Sequence, residues 1–335
     1  MRARTFIYFV FACSLCWLLS SCADTEQYIS DGVKHDPVFP SWQEVFPLWD
    51  QQLNIMSFVE PTEVIPTDVD DPAYDDFIEN QDFKAARVIT ITWTDNSVMV
   101  ENPQVDKGVD VSVLGTRVIV RNLESEAGAD DARGKVSYLL RGKCSDGQLK
   151  VYSNKKFQLI LDDVELHCSN GPAISIQNKK RCFVTLAGSQ HSSLRDGEVY
   201  ASDLQPTGED EKGCLFSEGQ LIFTGNGTLL VTGQHQHGIA SDEYVRIHPG
   251  CTIKVHAVKD GIHTKEQYHQ SGSMVMSYAM KDALQSDSLG IQLTGGYLYL
   301  FGERAMTANG GGQITVTEPG KVVALSLDNA TMKTH

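Results

Sequence analysis

Positive charge is scarce in this chain of 335 residues: 28 Lys and Arg stand against 43 Asp and Glu, a formal charge of −15. Such a chain repels nucleic acid and anionic membrane unless its cations are gathered locally, and no nucleic-acid partner is expected. Tryptophan is scarce too, with four residues and none after Trp93, so most of the chain offers no indole platform. Of eight cysteines, the five from Cys144 onward (Cys144, Cys168, Cys182, Cys214, Cys251) form no CxxC. That removes support for a zinc ribbon or a thioredoxin-type pair and leaves buried thiols as the expected state. Helical periodicity is nearly absent after Val88. The one long apolar run, Phe6 to Leu19, is too short to span a bilayer.

That run follows Arg2 and Arg4 and ends in LSSC, Leu19 to Cys22, which reads as a secretory signal over residues 1–21. The tetrapeptide resembles the lipobox of bacterial lipoproteins, which implies lipidation of Cys22 and a membrane partner through that anchor. ADTE follows from Ala23 and resembles acidic surface-export signals of Bacteroidetes lipoproteins. The expected location is the bacterial outer membrane, on the cell surface or the periplasmic side. Loss of the signal removes two arginines and deepens the charge to about −17.

Residues 23–73 hold six of the eleven prolines and end in TDVDDPAYDD, so residues 22–84 read as an acidic tether. A short docking helix near WQEVFPLWDQQL is compatible with its aromatics. From about residue 85 the pattern becomes alternating strands punctuated by Gly, Asn and Asp, as in VITITW, GTRVIVRN and FQLILDDVELH.

The second half repeats. Leu229 and Val231 recur as Ile253 and Val255, as Val275 and Ser277, and as Leu298 and Leu300, at spacings of 24, 22 and 23 residues. A second column holds Ile239, Ile262, Leu284 and Met306, each preceded by a small residue: Gly238, Gly261, Ala283 and Ala305. A third places Val245 with Ile247, Leu289 with Ile291, and Ile314 with Val316. A helix-free period of 22–24 residues is too short for a propeller blade and lacks the leucine-rich consensus. It predicts an all-β chain, a right-handed parallel β-helix whose coils stack about 4.8 Å apart, over residues 85–318. Residues 319–335 read as a shortened C-terminal end, and DGEVYASDLQPTGEDEKG, 196–213, as a projecting loop.

Asp260 and Asp282, 22 residues apart in KDGIHTKE and KDALQSD, fall at equivalent corners of adjacent coils. Two carboxylates about 5 Å apart repel by about 3 kcal/mol at an effective dielectric near 20. A hard divalent cation would offset this, with Asp242, Glu266 and Asp287 adding oxygens; alternatively the pair are turn residues splayed into water. His235, His237 and His263 make a transition-metal site conceivable. Lys265, Lys281 and Arg304 are the candidate bases for lyase chemistry, and equally plain ion-pair partners. Tyr297 and Tyr299 alternate with inward Leu298 and Leu300, so with Tyr278 they are the candidate sugar-stacking platforms.

The run FQLILDDVELHCSNGPAISIQNKKRCFVTLAGSQHSSLRDG, with KGCLFSEGQLIFTGNGTLLVTG, HGIASDEYVRI and KDGIHTKE, resembles secreted carbohydrate-binding right-handed β-helix proteins of Bacteroidetes and clostridia. The resemblance implies a pectate-lyase-like fold, bound calcium, and binding of cellulosic or acidic plant-type polysaccharide without cleavage. Two departures stand out: His237 and Arg304 occupy corners where Asp is common in that family. The expected function is calcium-assisted, non-catalytic polysaccharide binding. The alternatives are a calcium-dependent polysaccharide lyase and a structural adhesin.

Overall fold

The computed structural model describes residues 61–123, 135–188, 191–201, 208–317, 320–326 and 332–334. The expected Cys22 anchor, the signal and the possible docking helix lie outside them.

From Phe157 onward each coil contributes three strands, and each strand pairs in parallel with its counterpart one coil away. The first strands run from Phe157–Asp162 and Cys182–Ala187 to Gln313–Val316. The second run from Glu165–His167 through Thr252–Ala257 to Lys321–Ser326. The third run from Ile174–Ile176 through His237–Ser241 to Met332–Thr334. The result is an all-β solenoid of about 7 turns. Its coils continue past residue 318, because Lys321–Ser326 pairs with Tyr297–Gly302 and Met332–Thr334 with Arg304–Ala308. No helix of the described residues is long and apolar enough to cross a membrane.

Alternation dictates the interior, since every second side chain of a strand faces inward. The Leu229–Ile253–Val275–Leu298 and Val231–Val255–Ser277–Leu300 columns stand in register as the spacing predicted. So does Ile239–Ile262–Leu284–Met306. Small residues at these corners answer to space: a Cβ on Gly261 would lie 1.8 Å from Ser277 Oγ, and one on Gly238 would lie 2.2 Å from Val255 Cγ1.

The third column holds at Val245 with Ile247 and at Ile314 with Val316, but between them the coil of Leu289 and Ile291 is offset by two residues. Val245 pairs with Tyr268, Ile291 and Ile314 in successive coils, and Ile247 with Gln270, Leu293 and Val316. Leu289 is 62% exposed. The coil hidden by that misreading carries a polar interior residue: Gln270 is fully buried, accepts from Tyr268 Oη at 2.8 Å and donates to the carbonyls of Gly272 and Tyr297. A buried amide whose groups are all paired is tolerated where an unpaired one is not.

The N-terminal end is closed by antiparallel strands. Phe83–Trp93 pairs with Val98–Glu101, and Asp110–Leu114 with Arg117–Asn122; such turns protect an open edge from edge-to-edge association. The described part of the segment read as a tether lies against the solenoid flank. Asp76 is buried and meets Arg181 at 2.8 Å and Arg246 at 3.3 Å, while Glu63 meets His248 at 2.5 Å. The described end of the 196–213 loop also packs back: Glu209 and Glu211 hold the buried Lys150 ammonium at 2.8 and 2.9 Å. The five cysteines from Cys144 are buried and joined in no disulfide.

Candidate functional site

At the start of the third strands one position per coil forms a corner column of Gly213, His237, Asp260, Asp282 and Arg304. Register pairs Gly213 with His237 and Asp282 with Arg304. Backbone bonds from Gly238 N to Asp260 O (3.1 Å) and from Gly261 N to Asp282 O (2.9 Å) fix the middle. Asp260 and Asp282 are therefore neighbours, as their spacing predicted, and both are buried.

Their charges are met by protein groups above and below. Arg304 grips Asp282 with both oxygens engaged, Nε to Oδ1 at 2.5 Å and Nη2 to Oδ2 at 2.6 Å, and Thr307 Oγ1 donates to Oδ1 at 2.7 Å. That contact with Asp282 drives the Arg304 guanidinium still higher than its ordinary pKa. Asp260 accepts from the Asp282 amide at 3.2 Å, and its Oδ2 lies 3.0 Å from His237 Nδ1 and 3.3 Å from His263 Nδ1. Burial pushes the Asp260 carboxyl up, but the two imidazoles outweigh burial and hold it below the usual range. Burial lowers the His237 pKa, with Asp260 opposing and His263 and Lys259 adding to the fall. The two imidazole rings lie 4.4 Å apart, centroid to centroid.

The five carboxylates expected to share a calcium ion are thus divided. Asp282 belongs to Arg304. Asp242 lies between Lys212, at 3.0 Å, and Lys265. Glu266 sits beside Glu243, and burial followed by that like charge raises its pKa. Asp287 accepts from Gln285 at 2.7 Å and faces His263 Nε2 at 3.1 Å. Calcium asks for six to eight oxygens around one point, and these residues do not offer that set. Of the histidines, His235 turns away from His237, stacking on Tyr200 at 4.1 Å and contacting the Glu198 carbonyl at 2.9 Å.

The tyrosines share one face, but it is not an open platform. Tyr278 is 9% exposed, Tyr299 4% and the neighbouring Met276 2%. Tyr278 stacks on Phe301 at 5.0 Å and 4°, and Tyr297 on Tyr299 at 6.1 Å and 12°. Alternation correctly turned these rings out of the core, yet it has no power to say that the outer surface stays wet. The face is apolar, and apolar area is stabilised by about 25 cal/mol per Å² when it leaves water.

Earlier coils of the same face hold an open cleft of about 370 Å³. Lys143, Glu165, His167, Ser193 and Arg195 rim it, with Asp95 from the capping turn, above a floor that includes Cys144 and Leu166. Lys143 pairs with Glu165 at 2.5 Å, both substantially exposed. Parallel register aligns His167, Arg195, Thr232 and His256 in successive coils as one row along the solenoid. Burial followed by the charge of Arg195 lowers the His167 pKa, and burial takes His256 to about 4. The cleft escaped the sequence reading because its residues come from non-repeating early coils. The spacings there, 22 residues from Lys143 to Glu165 and 28 from His167 to Arg195, are legible only once the register is known.

The sequence pattern of the carbohydrate-binding domain-containing protein family matches residues 129–328. A carbohydrate-binding domain-containing protein of Acetivibrio thermocellus is 28% identical over 120 residues, 35% of this chain and 42% of the relative. The match thus spans less than half of that relative's length. Among solved structures, a polysaccharide lyase-like protein from C. thermocellum, determined as a gadolinium derivative, superposes with a TM-score of 0.54 at 21% identity. It covers 74% of this chain and 96% of the other. At that identity the likeness is one of fold.

Proposed function

The chain belongs to the carbohydrate-binding domain-containing protein family, and from that premise we propose that it binds polysaccharide, with an acidic glycan laid along the outer face of the second strands. The observation that carries this reading is the row His167, Arg195, Thr232, His256, which begins in the cleft beside Lys143. Groups repeated at the strand spacing of about 4.8 Å make a linear site, and a linear polymer is the ligand that uses one. On a molecule of charge −15, Lys143 and Arg195 are the local cation density that a uronate needs, and His167, its pKa lowered by burial and by Arg195, offers a neutral hydrogen-bonding ring beside them. The Lys143–Glu165 pair is exposed and therefore weak in water, so a ligand carboxylate exchanges with Glu165 at little cost.

Two of the three candidate lyase bases are poorly suited to cleavage. A lyase base must give up its proton. Arg304 is driven further from doing so by Asp282, and Lys265 is engaged by Asp242. Residence at the bacterial outer membrane through Cys22 is part of the proposal.

Affinity electrophoresis against polygalacturonate and soluble cellulosic glycans tests the site. Lys143→Ala with Arg195→Ala should weaken retention by polygalacturonate roughly tenfold, the loss of two charge-assisted contacts, and leave the melting temperature near that of the wild type. Unchanged retention would sink the cleft assignment, and release of unsaturated uronides would replace binding with lyase activity.

A further inference from the structure

Three side chains of this corner converge on one point. His237, Asp260 and His263 each offer one ligand atom, and these atoms lie within 4.8 Å of one another. His237 Nδ1 is 3.0 Å from Asp260 Oδ2, yet it has no hydrogen-bond partner: the atoms are close but off the hydrogen-bond line. The imidazole is 1% exposed, so water does not readily fill its need, and a buried polar atom left so costs about 1–3 kcal/mol. Close approach without hydrogen-bond alignment is what ligands of a common ion show. At the usual zinc distances of about 2.0–2.1 Å, the edges of a tetrahedron are about 3.3 Å long. From Asp260 Oδ2, the 3.3 Å to His263 equals that edge and the 3.0 Å to His237 is slightly shorter.

His263 adds an independent argument. Its Nδ1 faces Asp260 and its Nε2 faces Asp287 at 3.1 Å. A neutral imidazole has one N–H, so it can donate to only one of the two carboxylates. If Nδ1 binds an ion, Nε2–H is left to donate to Asp287. That is the carboxylate–histidine–metal arrangement that orients ligating histidines. Asp287 is itself held by Gln285 at 2.7 Å and Asn309 at 3.3 Å. Lys259 Nζ, 3.4 Å from His237 Nε2, works against a cation and would turn away from a loaded site.

We propose that His237, Asp260 and His263 form a binding site for a divalent transition-metal ion of the zinc and cobalt kind. Two imidazole nitrogens and one carboxylate oxygen suit such ions better than calcium. His263 is the most accessible of the three, so the remaining coordination position lies on its side, where water or a ligand oxygen reaches the ion. The proposal is independent of the glycan site.

Untagged protein titrated with cobalt(II) should show one equivalent of binding, read as visible ligand-field bands, and zinc should displace it while calcium should not. His263 projects outward from a three-residue strand, so His263→Gln should keep the far-ultraviolet circular dichroism of the wild type and lose the cobalt bands. Asp287→Asn should weaken binding about tenfold to a hundredfold, Lys259→Met should tighten it, and His235→Gln should leave it unchanged. Absence of stoichiometric cobalt binding to the wild type, its survival in folded His263→Gln, or its displacement by calcium would each overturn the site. His263 would then serve only to join Asp260 and Asp287.

Discussion

Asp282 keeps a charge inside the solenoid wall because Arg304 stands one coil above it, with both nitrogens in range and Thr307 completing the shell. Removing one partner of such a pair strands the other. Arg304→Met should therefore cost about 3 kcal/mol, measured by denaturant unfolding, and Asp282→Asn added to it should recover most of that loss. Added calcium should restore nothing; if it did, Asp282 would belong to a calcium site rather than to Arg304. Asp196 is another buried carboxyl, accepting from the Gln234 backbone amide at 2.5 Å and from Tyr200 Oη at 2.7 Å. Burial outweighs those bonds and lifts its pKa from the ordinary 3.8 to about 7. The folded state then holds a proton that the unfolded chain releases, so this group's stabilisation is complete below about pH 3.8. It falls as pH rises toward about 7 and is lost above that value. Asp196→Asn should be the more stable protein at pH 8 and should flatten the difference in melting temperature between pH 5 and pH 8. A wild type that is equally stable at both would refute the buried, proton-holding Asp196.

A coil of this solenoid cannot bury its inner face alone, so each is held by its two neighbours. Ile262 is fully buried between Ile239 below and Leu284 above. Ile262→Asp places an uncompensated charge in that column and should cost more than about 4 kcal/mol. Because neighbours share the column, hydrogen exchange should accelerate in the strands His237–Ser241 and Asp282–Ser286 as well as in the mutated one. Confinement of the change to Ile262–Thr264 would contradict the stacking energetics. The flank segment is a second element-scale device. Asp76 and Glu63 fasten residues 61–82 to two separate stretches of the solenoid, through Arg181 in one and through Arg246 and His248 in the other.

At the scale of the molecule, a charge of −15 makes the proposed acidic-glycan binding a local matter. Cations are arranged along the cleft while the corner carboxylates are neutralised from within. Separation of these two regions on different faces means that the proposed metal site and the proposed glycan row can be altered one at a time. The whole molecule also carries the proposed anchor. Protein expressed with its N-terminus intact should enter the detergent phase in a Triton X-114 partition, and Cys22→Ala should move it to the aqueous phase. Identical partitioning of the two would end the lipoprotein proposal.

The repeat of 22–24 residues was enough by itself to determine the solenoid, because inward side chains alternate strictly within strands and recur once per coil. Two columns, from Leu229 and from Ile239, could be written residue by residue from spacing alone. The column from Val245 could not, because Tyr268 and Gln270 are interior residues that do not look apolar and Leu289 is an apolar residue that is exposed. The nearness of Asp260 and Asp282 was equally legible. What compensates them was not: the choice between calcium and Arg304 depends on where a guanidinium in the next coil points, and sequence spacing fixes position along the stack but not side-chain direction. Only the tertiary structure gathered His237, Asp260 and His263 around one point, retired Tyr278 and Tyr299 from the surface, and assembled Lys143, His167 and Arg195 into a cleft. Each of those outcomes depends on contacts between coils, and those contacts exist only when the coils are stacked.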